Sequence, residues 1–92
     1  ALLSHRLTAG QLSWTSQAPH IQRAYSAKTR YRQADAPCTV EQLSADSMSV
    51  QFESAQWAVT PGQSVVMYEG EVCLGGGVID QVDRLANDSY LE

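Results

Sequence analysis

Residues 59–80, VTPGQSVVMYEGEVCLGGGVID, combine a proline–glycine turn, two short strand-like runs and a triple glycine. In Thr60-Pro61-Gly62-Gln63 the proline presets φ at the second turn position, and Gly62 accepts the positive φ that a type II turn needs at the third. Ser64 to Tyr68 and Val72 to Leu74 are rich in strand-favouring residues, and Glu69-Gly70 between them suits a hairpin connection. Gly75-Gly76-Gly77 follows at once. A P-loop would need a downstream Lys and Ser/Thr opening a helix, and Val78-Ile79-Asp80-Gln81 supplies neither. The glycines are therefore read as a bulge or sharp bend where barrel strands approach closely.

Working outward, no long segment keeps a helical period, whereas short runs alternate apolar and polar residues between turn signals. Ser47 to Glu53 is the clearest, with Met48, Val50 and Phe52 on one face and Ser49, Gln51 and Glu53 on the other. Pro37 opens a strand over Cys38 to Leu43, and Ser44-Ala45-Asp46 turns the chain between the two. Ile21 to about Thr29 reads as a longer strand, its wetter face carrying Gln22, Ala24, Ser26 and Lys28. Leu2 to Leu7 and Leu12 to Thr15 read as two strands separated by a turn at Ala9-Gly10, with Trp14 packed on the core. The pattern predicts an all-β fold: a small closed or partly open antiparallel β-barrel of about six strands. Residues 1–20 are expected to be the end of a preceding domain or a strand leading into the barrel, 21–80 to form the barrel, and 81–92, rich in acids and poor in core formers, to be a peripheral tail.

Ninety-two residues, 43% of them hydrophobic, suffice for one small domain and not for two. The chain opens Ala-Leu-Leu-Ser, and its first apolar run is broken by His5 and Arg6. That reads as part of a longer protein, with neither a signal peptide nor a membrane span. Charge is segregated: residues 1–32 carry five cations (Arg6, Arg23, Lys28, Arg30, Arg32) and no acid, and the rest carries all ten acids against Arg84 alone. Overall acidity argues against indiscriminate coating of nucleic acid, while a local basic cluster near residues 23–32 still suits a phosphate backbone. Two cysteines without a secretory signal predict a reduced, cytoplasmic protein, and with only His5 and His20 as companions no metal site is expected. Cys73, within Val-Cys-Leu, is expected to be a buried and inert strand residue, and Cys38 a packing residue. Nothing assembles a catalytic constellation.

Lys28-Thr29-Arg30-Tyr31-Arg32-Gln33 places three cations and an aromatic within six residues. Guanidinium groups fork onto phosphate and a tyrosine ring stacks on an unpaired base, so the mixture suits RNA. The bland alternative is a solvated strand end. A regular strand would send Arg30 and Tyr31 to opposite faces, so joint contact requires a bend there.

KTRYRQ, PCTV, AVTPGQSVV, YEGEVCLGGGVI and the earlier LSW together resemble the C-terminal part of the bacterial tRNA-specific 2-thiouridylase family. The resemblance implies a cytoplasmic parent enzyme that uses ATP to adenylate the wobble uridine of certain tRNAs and then installs sulfur delivered as a persulfide. That family's ATP-binding SGGVDS-type loop and catalytic cysteines belong to an N-terminal domain, and no segment here matches them, so this stretch is expected to be inactive and to hold no cofactor. It implies a barrel similar to those of translation factors that holds tRNA against the catalytic and central domains of the same chain. Arg30 and Tyr31 of KTRYRQ and Gln63 of TPGQ fall on implied tRNA contacts, with Lys28 and Arg32 as weaker candidates. The alternative from another class is a protein-interaction barrel that docks onto neighbouring domains or a sulfur-relay protein.

Overall fold

The computed structural model describes residues 3–15, 17–29, 35–57 and 59–84, and every regular element among them is a strand. These are β1 (Leu3–Trp14), β2 (Ala24–Lys28), β3 (Ala36–Leu43), β4 (Ser47–Trp57), β5 (Ser64–Glu69) and β6 (Val72–Arg84). They close in the order β1-β4-β3-β2-β5-β6, with β6 pairing back onto β1 and each neighbouring pair antiparallel. Closure leaves no edge open for pairing with another chain. The expected barrel is therefore a closed one.

A barrel this narrow is filled by its own side chains. Leu7 and Ala9 of β1, Tyr25 and Ala27 of β2, Cys38 and Val40 of β3, Met48, Val50 and Phe52 of β4, Val65 and Met67 of β5, and Leu74 and Ile79 of β6 form the core. The two-residue period that predicted Ser47 to Glu53 accounts for most of this list. Trp14 packs against the core as expected, and Val59, fully buried, fills the barrel between β4 and β5. The Tyr25 hydroxyl accepts a hydrogen bond from the His20 backbone N–H at 2.8 Å, tying the β1–β2 connection to the core.

Several strand limits differ from the sequence reading. Ala9-Gly10 is not a turn: β1 runs through it, and Gln11 takes a positive φ of 49° at an extra residue where pairing steps from Gly10↔Val78 to Ser13↔Gly76. A bulge bends a strand without ending it, which turn propensity alone does not distinguish. Residues 3–14 are thus a stave of the barrel rather than a lead-in. β2 starts only at Ala24, because Ile21 and Gln22 form a turn; Gln22 has φ 64° and donates its N–H to the Val40 carbonyl at 2.8 Å. β6 continues to Arg84, pairing Gln81, Val82 and Asp83 with Thr8, Leu7 and Arg6, so residues 81–84 belong to the sheet. Residues 85–92 of the expected tail lie outside the described residues.

The triple glycine lies inside β6, between β5 on one side and β1 on the other. An added Cβ at Gly76 would collide with the Val65 carbonyl, and one at Gly75, whose φ is +117°, with the Ser13 carbonyl. In a regular strand Cβ leaves the face of the sheet. Here it would point into the neighbouring backbone, because the strand coils sharply to close the barrel.

On the outer surface Arg6 clips four strands together. Its Nε donates to Glu41 of β3 at 2.7 Å, and its other nitrogens reach Gln51 of β4 at 3.1 Å and Asp83 of β6 at 3.4 Å. The hydrogen bond and the charge of Glu41, then those of Asp83, hold the guanidinium above its ordinary pKa. One of the five N-terminal cations is therefore occupied structurally.

Candidate nucleic-acid interface at one rim of the barrel

β2 and β5 are sequence-distant but adjacent in the barrel, and they run antiparallel with Lys28 opposite Val66 and Ser26 opposite Tyr68. The chain therefore leaves β2 at the end of the barrel where it enters β5. The β2–β3 connection, which contains Arg30, Tyr31 and Arg32, and the β4–β5 connection, which contains Thr60-Pro61-Gly62-Gln63, open from neighbouring strand ends at one rim. Arg30, Tyr31 and Arg32 themselves lie outside the described residues.

Gly62 has φ 93°, and the Gln63 N–H donates to the Thr60 carbonyl at 3.3 Å, the closure of the type II turn read from the sequence. The turn docks on β6 through two bonds at 2.8 Å, from Gly62 N–H to the Ile79 carbonyl and from Ile79 N–H to the Gln63 carbonyl. The Gln63 side chain bends back, its Oε1 accepting from the Thr60 N–H at 3.3 Å. Its acceptor is committed to the turn, so the two Nε2 donors are the atoms suited to a phosphate or base edge. The side chain is half-buried and rests on a turn bonded to β6.

Lys28 is less free than its sequence suggests. Its Nζ lies 3.5 Å from Asp35 Oδ1 and 5.3 Å from the centroid of the Tyr68 ring. Ser26 Oγ donates to the other oxygen of the same carboxylate at 3.3 Å. Ser26, Asp35 and Tyr68 went unrecognised because their proximity depends on strand pairing: Asp35 comes to Ser26 and Lys28 through the β2–β3 pairing, which sets Ala36 opposite Ala27, whereas Tyr68 comes from β5, a strand not consecutive with β2 in sequence. Arg23 is exposed but precedes β2, so the length of that strand, about 16 Å, separates it from Lys28. Of the basic cluster expected over residues 23–32, the two described cations, Arg23 and Lys28, therefore lie at opposite ends of β2.

Away from this rim, β3 and β4 present a hollow of about 220 Å³ lined by Gln22, Thr39, Glu41, Gln51, Phe52 and Glu53. Its two carboxylates, Glu53 and the Arg6-paired Glu41, make it a poor match for a phosphate backbone. The two cysteines differ sharply. Cys38 is fully buried, and desolvation, aided by the charge of Glu53, pushes its thiol up to about 12. Cys73 is exposed, contrary to the expectation of a buried thiol, because Leu74 takes the core position and alternation turns its neighbour outward.

A sequence profile of the aminomethyltransferase β-barrel domain matches residues 4–79, which include all of β1 but Leu3, β2 to β5, the Gln63 turn and the triple glycine. The chain belongs to that family. It is 61% identical over 82 residues, 89% of its length, to the tRNA-specific 2-thiouridylase MnmA of Acidovorax ebreus. Identity to the proteins of that name from Bordetella pertussis and Dechloromonas aromatica is 58% in each case, over 85% and 86% of the chain. The matched stretches make up 22%, 21% and 22% of those three relatives, so this barrel spans about a fifth of their length.

Proposed function

We propose that this barrel is the non-catalytic tRNA-holding part of an ATP-dependent tRNA 2-thiouridylase, a cytoplasmic enzyme that converts a wobble uridine to 2-thiouridine. The observation that carries the reading is the shared rim: the KTRYRQ connection and the Gln63 turn open from adjacent strand ends. A rigid turn presenting amide donors beside a segment with two arginines and a tyrosine supplies backbone contacts and a stacking surface together. ATP and the persulfide sulfur are used by the N-terminal catalytic domain of the same protein, and the barrel fixes the tRNA while it acts. The names carried by its relatives support this assignment.

Titration of unmodified tRNA transcripts with a wobble uridine, at low salt, tests the reading. An Arg30→Ala/Tyr31→Ala protein is expected to bind more weakly than wild type. Superimposable curves would remove the tRNA-holding role.

A second reading concerns the opposite end. Ile21, 55% exposed, precedes β2, and Val72, 63% exposed, follows the β5–β6 hairpin, so both sit away from the Gln63 rim. Their exposure favours docking of that end on a neighbouring domain of the same chain or a sulfur-relay protein. Ile21→Ser/Val72→Ser is expected to lower thiolation while leaving tRNA affinity unchanged; a loss of tRNA affinity would count against separate ends for the two roles.

A further inference from the structure

We propose that Ser26 and Lys28 form a phosphate site on the outer face of β2, and that Asp35 occupies it until RNA displaces the carboxylate. The proposal rests on the tRNA-holding reading and adds a contact and a gate to it.

Ser26 and Lys28 are two residues apart on one strand, so their side chains leave the same face. They converge on one carboxylate: Ser26 Oγ lies 3.3 Å from Oδ2 and Lys28 Nζ 3.5 Å from Oδ1 of Asp35. A hydroxyl and an ammonium meeting on two oxygens of a planar anion are the donor set that also receives two oxygens of a phosphodiester. Asp35 approaches from the far end of the β2–β3 connection, just before β3. The Lys28 and Asp35 side chains are each 40% exposed, so their attraction is weakened by water and the pair exchanges readily. Tyr68, directly across from Ser26 on β5, supports the lysine from below, its ring centroid 5.3 Å from Nζ. That contact keeps the ammonium at the surface when the carboxylate leaves.

The arrangement discriminates between ligands. A lone anion gains only the Ser26–Lys28 pair and must displace a tethered competitor. RNA that also engages the Gln63 rim arrives with its phosphate already held near the site, so displacement becomes an intramolecular exchange. Asp35 therefore raises the demand for simultaneous contacts.

The test uses the full-length protein carrying this barrel and the same wobble-uridine transcripts over a salt series. Asp35→Asn is expected to tighten binding about two- to fivefold at low salt. Lys28→Ala is expected to weaken binding and to reduce the slope of log affinity against log salt by about 0.7 to 0.9, one phosphate contact. The Lys28→Ala/Asp35→Asn combination should lose the gain, and Glu71→Gln, an exposed acid in the hairpin at the other end, should show none. Asp35→Ala repeats the measurement should Asp35→Asn fold poorly. Unchanged or weaker binding by both Asp35 variants would overturn the proposal, as would a gain that survives loss of Lys28 or is matched by Glu71→Gln. If Arg30→Ala/Tyr31→Ala weakens binding while the Asp35 variants do not tighten it, only the occupied site fails. If the Arg30 and Tyr31 substitutions are silent, the tRNA-holding reading fails first.

Discussion

Lys28 stands opposite Val66 across the β2–β5 ladder, and Val66 lies three residues beyond Gln63. This register joins two sequence segments more than thirty residues apart into one candidate surface. Val66 is half-buried on the outer side, so it offers a position for introducing charge between the two segments. Val66→Glu is expected to lower tRNA affinity at least threefold at low salt, with a stability loss of about 1 kcal/mol or less. Thr39→Glu, beside the acidic hollow, is expected to leave affinity unchanged. Equal effects of the two in the same titration would place the RNA elsewhere.

Gln63 has two separable duties. Gln63→Ala removes the acceptor for the Thr60 N–H and should cost about 0.5 to 1.5 kcal/mol in urea unfolding, as well as weakening tRNA binding. Gln63→Glu keeps an acceptor oxygen but replaces the amide donors with negative charge. Its stability should stay within about 0.5 kcal/mol of wild type while tRNA affinity falls further than for the alanine variant. Undiminished affinity of the glutamate variant would confine Gln63 to the turn.

At Gly76 even a methyl group meets the Val65 backbone, which has no rotamer by which to yield. Gly76→Ala is expected to destabilise the barrel by about 2 to 3 kcal/mol in denaturant titration. A loss below about 0.5 kcal/mol would show that β6 relaxes at this point more easily than its close approach implies.

The cysteines give a chemical test of the core. In the native protein a thiol reagent at neutral pH should modify Cys73 alone, and Cys38 only after unfolding. Cys38 holds its proton to about 12 in the folded state, against an ordinary value of 9.0. The folded state thus binds the proton more tightly, so its stabilising effect is complete below pH 9 and is lost as pH rises from about 9 towards 12. The decline attributable to this thiol should approach about 1.4 kcal/mol per pH unit. Comparison with Cys38→Ala isolates it; parallel pH profiles for the two proteins would contradict a buried, proton-retaining thiol.

Much of the barrel is legible in local pattern. Met48, Val50 and Phe52 announce an inward strand face by period two, and Pro61-Gly62 announces a turn by fixed and positive φ. The signals that misled are those with two structural outcomes. Ala9-Gly10 marks a turn or a bulge equally well, and only the pairing of β1 with β4 and β6 on its two sides decides for the bulge. Cys73 sits among apolar neighbours, yet which of two adjacent residues faces inward is set by register, and Leu74 takes the core position. The acid-rich segment after Asp80 looks peripheral, but Val82 packs on the core and Asp83 meets Arg6.

By itself the sequence determined the all-β class, most of the inward faces, the Gln63 turn and the family, because each is written in short-range alternation, backbone preference or contiguous motif. Tertiary structure alone decided that β2 lies beside β5, and with it that the Gln63 turn and the end of β2 share a rim and that Tyr68 reaches Lys28; it also decided that Asp35 meets Lys28 across the β2–β3 pairing, and that the glycines of β6 meet the backbones of β1 and β5. The physical reason is closure. Joining six strands edge to edge fixes which distant segments become neighbours, a choice that no local propensity encodes.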